Sequence, residues 1–268
     1  MKSDLSTLFS KYGSKGTAKD LFQPRTYRTQ FNVSRFHSFE VKYLETDLWI
    51  GVDPSSFKIE MKEIALAKIK ELRGRLDEYI ISEPFFKKSL KPFQPSEQAP
   101  FEAKEMAIAA EKAGIGPMSA VAGLFAREVG NEIIQNFLVE EMVIENGGDI
   151  YVLLKNELVL SVFAGESPLS ERIGLVIPPE ISKLGICTSA GTVGPSLSFG
   201  KADAVVVICE DILLADAFAT AFGNKVKSPN DVEKVINQSE KYPEILSMLI
   251  ICEDKVGLRG DFEMRILK

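Results

Sequence analysis

The chain has 268 residues, 45% of them hydrophobic and 26% charged, with a formal net charge of -6. That composition fits a soluble globular protein with room for one large core or two modest sub-lobes. The acidic balance argues against a nucleic-acid partner, and no apolar run approaches the roughly 18 residues that a membrane span needs. Three cysteines, Cys187, Cys209 and Cys252, stand far apart with no CxxC pair, so no zinc site or disulfide framework is expected. Without a recognisable signal peptide the expected compartment is reducing and cytoplasmic. The single histidine, His37, excludes a His-rich metal site and limits catalysis to carboxylates, lysines, hydroxyls, thiols or an oxygen-held metal.

Residues 1–25 are polar and glycine-bearing and read as an arm; residues 26–268 read as a single domain. From Tyr27 to Val52 apolar and polar residues alternate, which predicts a strand meander with His37 as a packed or surface residue among aromatics. Ser55 or Ser56 is expected to cap a helix running to about Ile81. Its apolar face comprises Met61, Ile64, Ala65, Ile69, Leu72, Leu76 and Ile80. A proline-rich connector, KPFQPSEQAP, follows, then a helix from Phe101 to Lys112 that stops at Gly114. GIGPMSAVAGLFAREVG, residues 114–130, reads as a helix of small residues with Pro117 in its first turn. Small residues there let another backbone approach closely.

The stretch ENGGDIY, Glu145–Tyr151, sets two glycines between two apolar runs. A tight hairpin satisfies that pattern. So does close approach of backbone to a planar or phosphorylated ligand, with Asn146 and Asp149 as polar contacts beside Gly147 and Gly148. Short strands follow at LVLSVFAG, IGLVIP, GICTS and ADAVVVICE, then a helix in DILLADAFATAFGN ending at Gly223–Asn224. The tail reads as one or two helices, a strand at SMLIICED and a last strand at FEMRIL. The mixture predicts an α+β fold, antiparallel or mixed sheets with helices packed on them.

Three segments could carry chemistry. Asp216 and Thr220 lie four apart on an otherwise apolar helix. A hard cation such as Mg²⁺ is one way to satisfy a carboxylate there; local capping by Asp216 and back-bonding by Thr220 is the other. GICTSAGTVGPSLSFGKADA, residues 185–204, holds four glycines, three serines and two threonines. Its backbone N–H groups and hydroxyls suit an anion, with Thr188, Ser189 and Gly191 as contacts and Lys201 as a point charge, or it is a plain surface loop. Cys187 is a nucleophile if its pKa is lowered and a small core residue otherwise.

Taken together, ENGGDIY, CTSAGT and LLADAFATAFGN resemble, in order, the motifs of the ApbE-like superfamily, the flavin transferases. AGIGPMSAVAG, IENGGDIY, SAGTVGPSLSFGKADA, ADAFATAFGN and ETDLWI resemble more closely a branch without the transferase histidine motif. The resemblance spans roughly residues 25–225. It implies a protein that binds FAD or a related nucleotide with Mg²⁺ at a glycine-rich pocket, as a transferase onto an acceptor protein or as a hydrolase. It implies Asp216 and Thr220 as metal ligands, with a backbone oxygen from the turn at Gly116–Ala120, and the Gly147–Gly148–Asp149 corner bordering the nucleotide. The His-x-x-Asp-Pro-x-Thr-Gly segment of transferases reads SLSFGKADAVVV here, and their Lys-Gly turn reads MSAVAG. Alternatives are a flavin- or nucleotide-binding protein without turnover, and a thiol or sulfur-handling accessory protein using Cys187.

Overall fold

A computed structural model describes residues 35–181, 183–191 and 198–267. The expected arm at residues 1–25, the first part of the meander and the middle of the serine-rich loop lie outside the described residues. The fold is α+β. An eight-stranded sheet runs β1 (His37–Tyr43), β2 (Thr46–Val52), β3 (Met142–Asn146), β4 (Asp149–Leu153), β7 (Lys183–Ser189), β8 (Ala204–Cys209), β9 (Ser247–Cys252), β10 (Lys255–Gly260). A three-stranded sheet runs β11 (Met264–Ile266), β6 (Ile173–Ile177), β5 (Leu158–Ser161). Neighbouring strands in both sheets pair antiparallel.

The central strands are covered on both faces, which is why β2, β3, β8 and β9 are buried along their whole length. Alternate residues divide between two cores. Ile50, Ile144, Tyr151, Cys187, Val207 and Ile250 face the helices. Trp49, Val143, Ile150, Ile186, Val206 and Leu249 face the small sheet, against Val162, Ile173, Leu175 and Ile177.

The helix face is built from α1 (Met61–Ser82), α2 (Pro84–Lys88), α3 (Phe101–Ala113), α4 (Val121–Asn136), α5 (Ile212–Gly223) and α6 (Val232–Gln238). Helix α1 buries Met61, Ala65, Ile69, Leu72 and Leu76, the 3.6-residue stripe of the sequence. Its start differs from expectation. Neither Ser55 nor Ser56 caps it: the Ser55 hydroxyl donates to Asp53 at 2.6 Å, and the Ser56 N–H donates to the same carboxylate at 3.0 Å. Asp53 also receives the N–H groups of Glu140 and Glu141; against its burial, the Ser55 hydroxyl, the Glu141 N–H and Ser56 lower its pKa to about 2. The serines therefore belong to a clasp between β2 and the lead-in to β3. Helix α3 ends as expected at Gly114, which adopts φ 73. Strand β10 was not anticipated. Its sequence, KVGLRG, is broken by Gly257 and largely exposed at the sheet edge, so it carries no apolar alternation to read. The single histidine stacks on Phe57 at 3.6 Å and is exposed.

Helix α5 lies along β7 with almost no gap. A Cβ added at Gly185 would come within 2.2 Å of the Ile212 Cα. Gly185→Ala is expected to cost about 3 kcal/mol by forcing two backbones apart. Gly74→Ala, on an open face of α1, is expected to stabilise by about 0.5–1 kcal/mol. Urea unfolding of the two variants against the parent checks both.

Candidate functional site

Four strands set a row of side chains across the helix face. Asn146 is opposite Asp149, Asp149 opposite Cys187, and Cys187 opposite Val207. Helix α5 crosses above this row. Asp211 caps it by accepting the Leu213 N–H at 3.0 Å. Arg127 on α4 binds Glu128 at 2.9 Å, Glu105 on α3 at 3.4 Å and Asp211 at 3.7 Å, so one guanidinium ties three helices at this end.

One turn along α5, Asp216 points down at the N-terminus of α4. Its Oδ2 accepts the Gly123 N–H at 2.9 Å, and the Ala122 N–H also contributes. The approach requires a glycine, since a Cβ at Gly123 would sit 2.9 Å from the Ile212 carbonyl and 3.3 Å from the Asp216 Cβ. Asp216 is 7% exposed. Burial pushes its pKa from 3.8 up to about 7, against the pull of the two N–H groups. From the sheet side, Asn146 Nδ2 donates to the Ala122 carbonyl at 3.0 Å. Both polar side chains therefore clasp the first turn of α4. The turn expected to take part, Gly116–Ala120, lies just before it as a 3-10 turn, Pro117–Ala120, whose Gly116 carbonyl accepts the Ser119 hydroxyl at 2.7 Å. Ala122 and Gly123 belong to the run of small residues expected to admit a second backbone, as Gly123 does; their N–H contacts to Asp216 carry no sequence signal.

The glycine pair forms a two-residue hairpin turn with φ 69 at Gly147 and 101 at Gly148. Positive φ at both central positions is what such turns demand. The turn is fastened twice: the Gly148 N–H donates to Glu145 Oε1 at 2.8 Å, and its carbonyl accepts the Thr188 N–H at 3.1 Å. Glu145, wholly buried, was named in the sequence only as a flanking residue.

Asn146, Asp149, Cys187 and Asp216 are thus brought together, with Gly147, Gly148 and Thr188 beside them. Ser189, Gly191 and Lys201 collect elsewhere, at the C-terminal end of α5. The Ser189 hydroxyl lies 3.0 Å from where a Gly223 Cβ would be. The Gly191 N–H donates to Ala202 O at 2.8 Å, and the Lys201 N–H to Val226 O at 2.8 Å. The Lys201 side chain is exposed. From Asp216 to Gly223 is about 10 Å of helix, and Thr220, partly buried, stands between.

Cys187 is wholly buried and its thiol donates to Ile212 O at 3.6 Å. Burial, with Asp149 and Asp216 nearby, pushes the thiol pKa well above its ordinary value. That environment holds the thiol neutral and speaks for packing rather than nucleophilic use.

Among the described residues no group of three His, Cys, Asp or Glu could hold a metal ion. A cation here would rely on Asp216, the Thr220 hydroxyl, carbonyl oxygens and water. That donor chemistry fits Mg²⁺, which keeps several waters and takes one or two carboxylates, and does not fit zinc. Among the described residues no helix is long and apolar enough to cross a membrane.

The sequence model of a family described as AbpE bacteria matches residues 28–244. The UPF0280 protein of Methanocella arvoryzae is 38% identical over 197 residues, 74% of this chain and 80% of the relative. That of Methanocaldococcus jannaschii is 36% identical over 221 residues, 81% and 87% of the two chains. The apo flavinyl transferase ApbE of Pseudomonas stutzeri shares the fold with a TM-score of 0.51 at 12% identity, over 84% of this chain and 94% of that one. The ApbE protein of Thermotoga maritima does so with a TM-score of 0.53 at 14% identity, over 84% and 97%.

Two outcomes are expected. In metal-free protein the folded Asp216 keeps its proton between pH 3.8 and about 7 while the unfolded chain does not. Its contribution to stability is complete below that window and is lost as pH rises through it. Urea unfolding across pH should show this decline in the parent relative to Asp216→Asn. Alkylation at neutral pH should label Cys187 no faster than Cys209, and both fast only after unfolding.

Proposed function

Because this chain belongs to the AbpE bacteria family of the ApbE-like superfamily, we propose that it binds a flavin nucleotide such as FAD with Mg²⁺ and acts on it as a transferase or hydrolase. The observation that carries the proposal is Asp216: a buried carboxylate met by backbone N–H groups from a distant helix, with Thr220 four residues on along the same helix. The Gly123 N–H needs an acceptor, but a neutral side chain such as Asn would serve a purely structural helix crossing without desolvating a charge.

In this proposal Asp216 and Thr220 hold the cation, and Asp149 adds negative potential beside it. Bound Mg²⁺ supplies electrophilic polarisation of a phosphoryl oxygen. The chain's own residues do the rest. Asn146 and the first turn of α4 fix the direction of the Asp216 carboxylate. The Gly147–Gly148 turn leaves the edge of the site free of side chains, so a planar ring or a diphosphate can lie against backbone. The Ser189 hydroxyl, toward the other end of α5, suits the more distant phosphate, while the Gly191 N–H is already given to the Ala202 carbonyl. An acceptor hydroxyl on a second protein, or water, receives the transferred group.

Binding without turnover is the second reading, and one observation favours it. His37 is exposed and stacked on Phe57, so the only imidazole is committed elsewhere, and Lys201 is anchored beyond the far end of α5. Few groups remain to move a proton.

Asp216→Ala is expected to keep the fold, judged by circular dichroism, and to lose Mn²⁺ binding measured as Mg²⁺ surrogate by at least about a hundredfold. It should also abolish release of AMP from FAD. Mn²⁺ affinity equal to that of the parent would remove the metal reading. FAD binding that resists Asp216→Ala, with no AMP released by the parent, would leave the binding protein.

A further inference from the structure

Residues 84–93, PFFKKSLKPF, contain three phenylalanines, a leucine and three lysines, and no carboxylate. They form α2 and the turn after it. Phe86 is wholly buried, edge-on to Tyr79 at 5.2 Å and to Phe93 at 5.7 Å. The turn is closed by Ser89, whose N–H donates to Phe85 O at 2.9 Å and whose hydroxyl donates to Lys91 O at 2.7 Å. Its backbone rests on Gly116, where an added Cβ would lie 1.8 Å from the Ser89 carbonyl oxygen. The segment is therefore firmly seated. From that seat Phe85 stands 72% exposed and Leu90 59% exposed, among the exposed Lys87, Lys88 and Lys91. Single exposed apolar residues need no explanation. Two large ones held outward from a riveted segment and interleaved with three ammonium groups do.

We propose that this segment is a docking surface for an anionic lipid bilayer. Phe85 and Leu90 enter the boundary between headgroups and acyl chains, and the lysines meet headgroup phosphates. The net charge of -6 does not oppose this, because salt screens charges beyond about 8 Å and the local lysines decide. Of the neighbouring acids, Glu83 precedes α2, Asp77 and Glu78 lie in the last turns of α1, and Glu45, in the field of Lys87, is paired with Arg73. A lipid surface suits the segment better than an acidic protein partner. The apolar groups are separate projections from a short helix and a turn. The neighbouring groove, lined by Phe93, Gln94, Lys104, Ile108 and Glu111, includes neither Phe85 nor Leu90. The inference concerns attachment to a surface and does not rest on the flavin reading.

The test is co-sedimentation of the full chain with vesicles of phosphatidylcholine alone and of phosphatidylcholine and phosphatidylglycerol in equal parts. The expected result is binding to the anionic vesicles only, weakening with salt. The triple variant K87A/K88A/K91A should lower it about a hundredfold, at roughly fivefold per lysine. Phe85→Ser with Leu90→Ser should abolish it with melting temperature unchanged, since both side chains lie outside the core. Absence of binding to either vesicle, or equal binding to both, would overturn the proposal. So would anionic binding that survives the triple variant, which would trace the attraction to the lysines of residues 1–34. Binding to soluble polyglutamate in place of vesicles would likewise overturn it and assign the segment to a protein partner.

Discussion

A single hydrogen bond, from the Gly123 N–H to the Asp216 carboxylate at 2.9 Å, joins residues 93 positions apart and sets the spacing of everything around it. A buried carboxylate is costly unless donors meet it. Here the donors are the free N–H groups at the start of α4, which no residue of that helix can itself satisfy. Each side thus resolves the other's problem. The bond forms only if the two helices nearly touch, and that requires glycine at 123. It also requires α5 to be pressed onto β7, which requires glycine at 185. The absence of side chains at two positions is the condition for placing one side chain at a third.

The polar groups that result are almost all oxygens and backbone amides. Asn146, Asp149 and Asp216 crowd the N-terminal half of α5, while Ser189, Gly191 and Lys201 gather beyond its C-terminal end. Thr220 lies between. Neutral thiol and distant imidazole leave this elongated arrangement poor in groups that titrate near neutrality, apart from Asp216 itself. Under the proposed function, chemistry along such a site would depend on electrostatic stabilisation by fixed dipoles and a hard cation more than on proton transfer. The two clusters are separated by about 10 Å of helix, a span suited to an extended ligand.

The three-stranded sheet has a supporting part in this. By covering the second face of the large sheet it allows β8 and β9 to be apolar on both sides, so the few polar side chains on the helix face stand out. The same double cover explains which elements were readable. Strands such as AVVVIC and SMLIIC announce themselves as nearly unbroken apolar runs. The amphipathic stripe of α1 and the Gly114 stop of α3 were equally plain. Strand β10 was hidden because an edge strand needs no alternation. The serines before α1 were misread because Ser-rich turns and N-caps share one composition, and the deciding partner, Asp53 with its donors at Glu140 and Glu141, joins the turn to residues some 87 positions on.

The sequence by itself determined the element types, the order of the motifs and the kinds of group available: one histidine, a carboxylate and hydroxyl one helical turn apart, and a glycine pair between strands. These follow from composition and local periodicity, which a linear chain displays in full. Only the tertiary structure decided which of those groups meet. The same spacing that puts Asp216 and Thr220 on one face says nothing of the first turn of α4 lying beneath it. The same spacing leaves open which end of α5 Ser189, Gly191 and Lys201 would adjoin. Such proximities are set by where backbones can touch, and that depends on residues from several strands and helices at once.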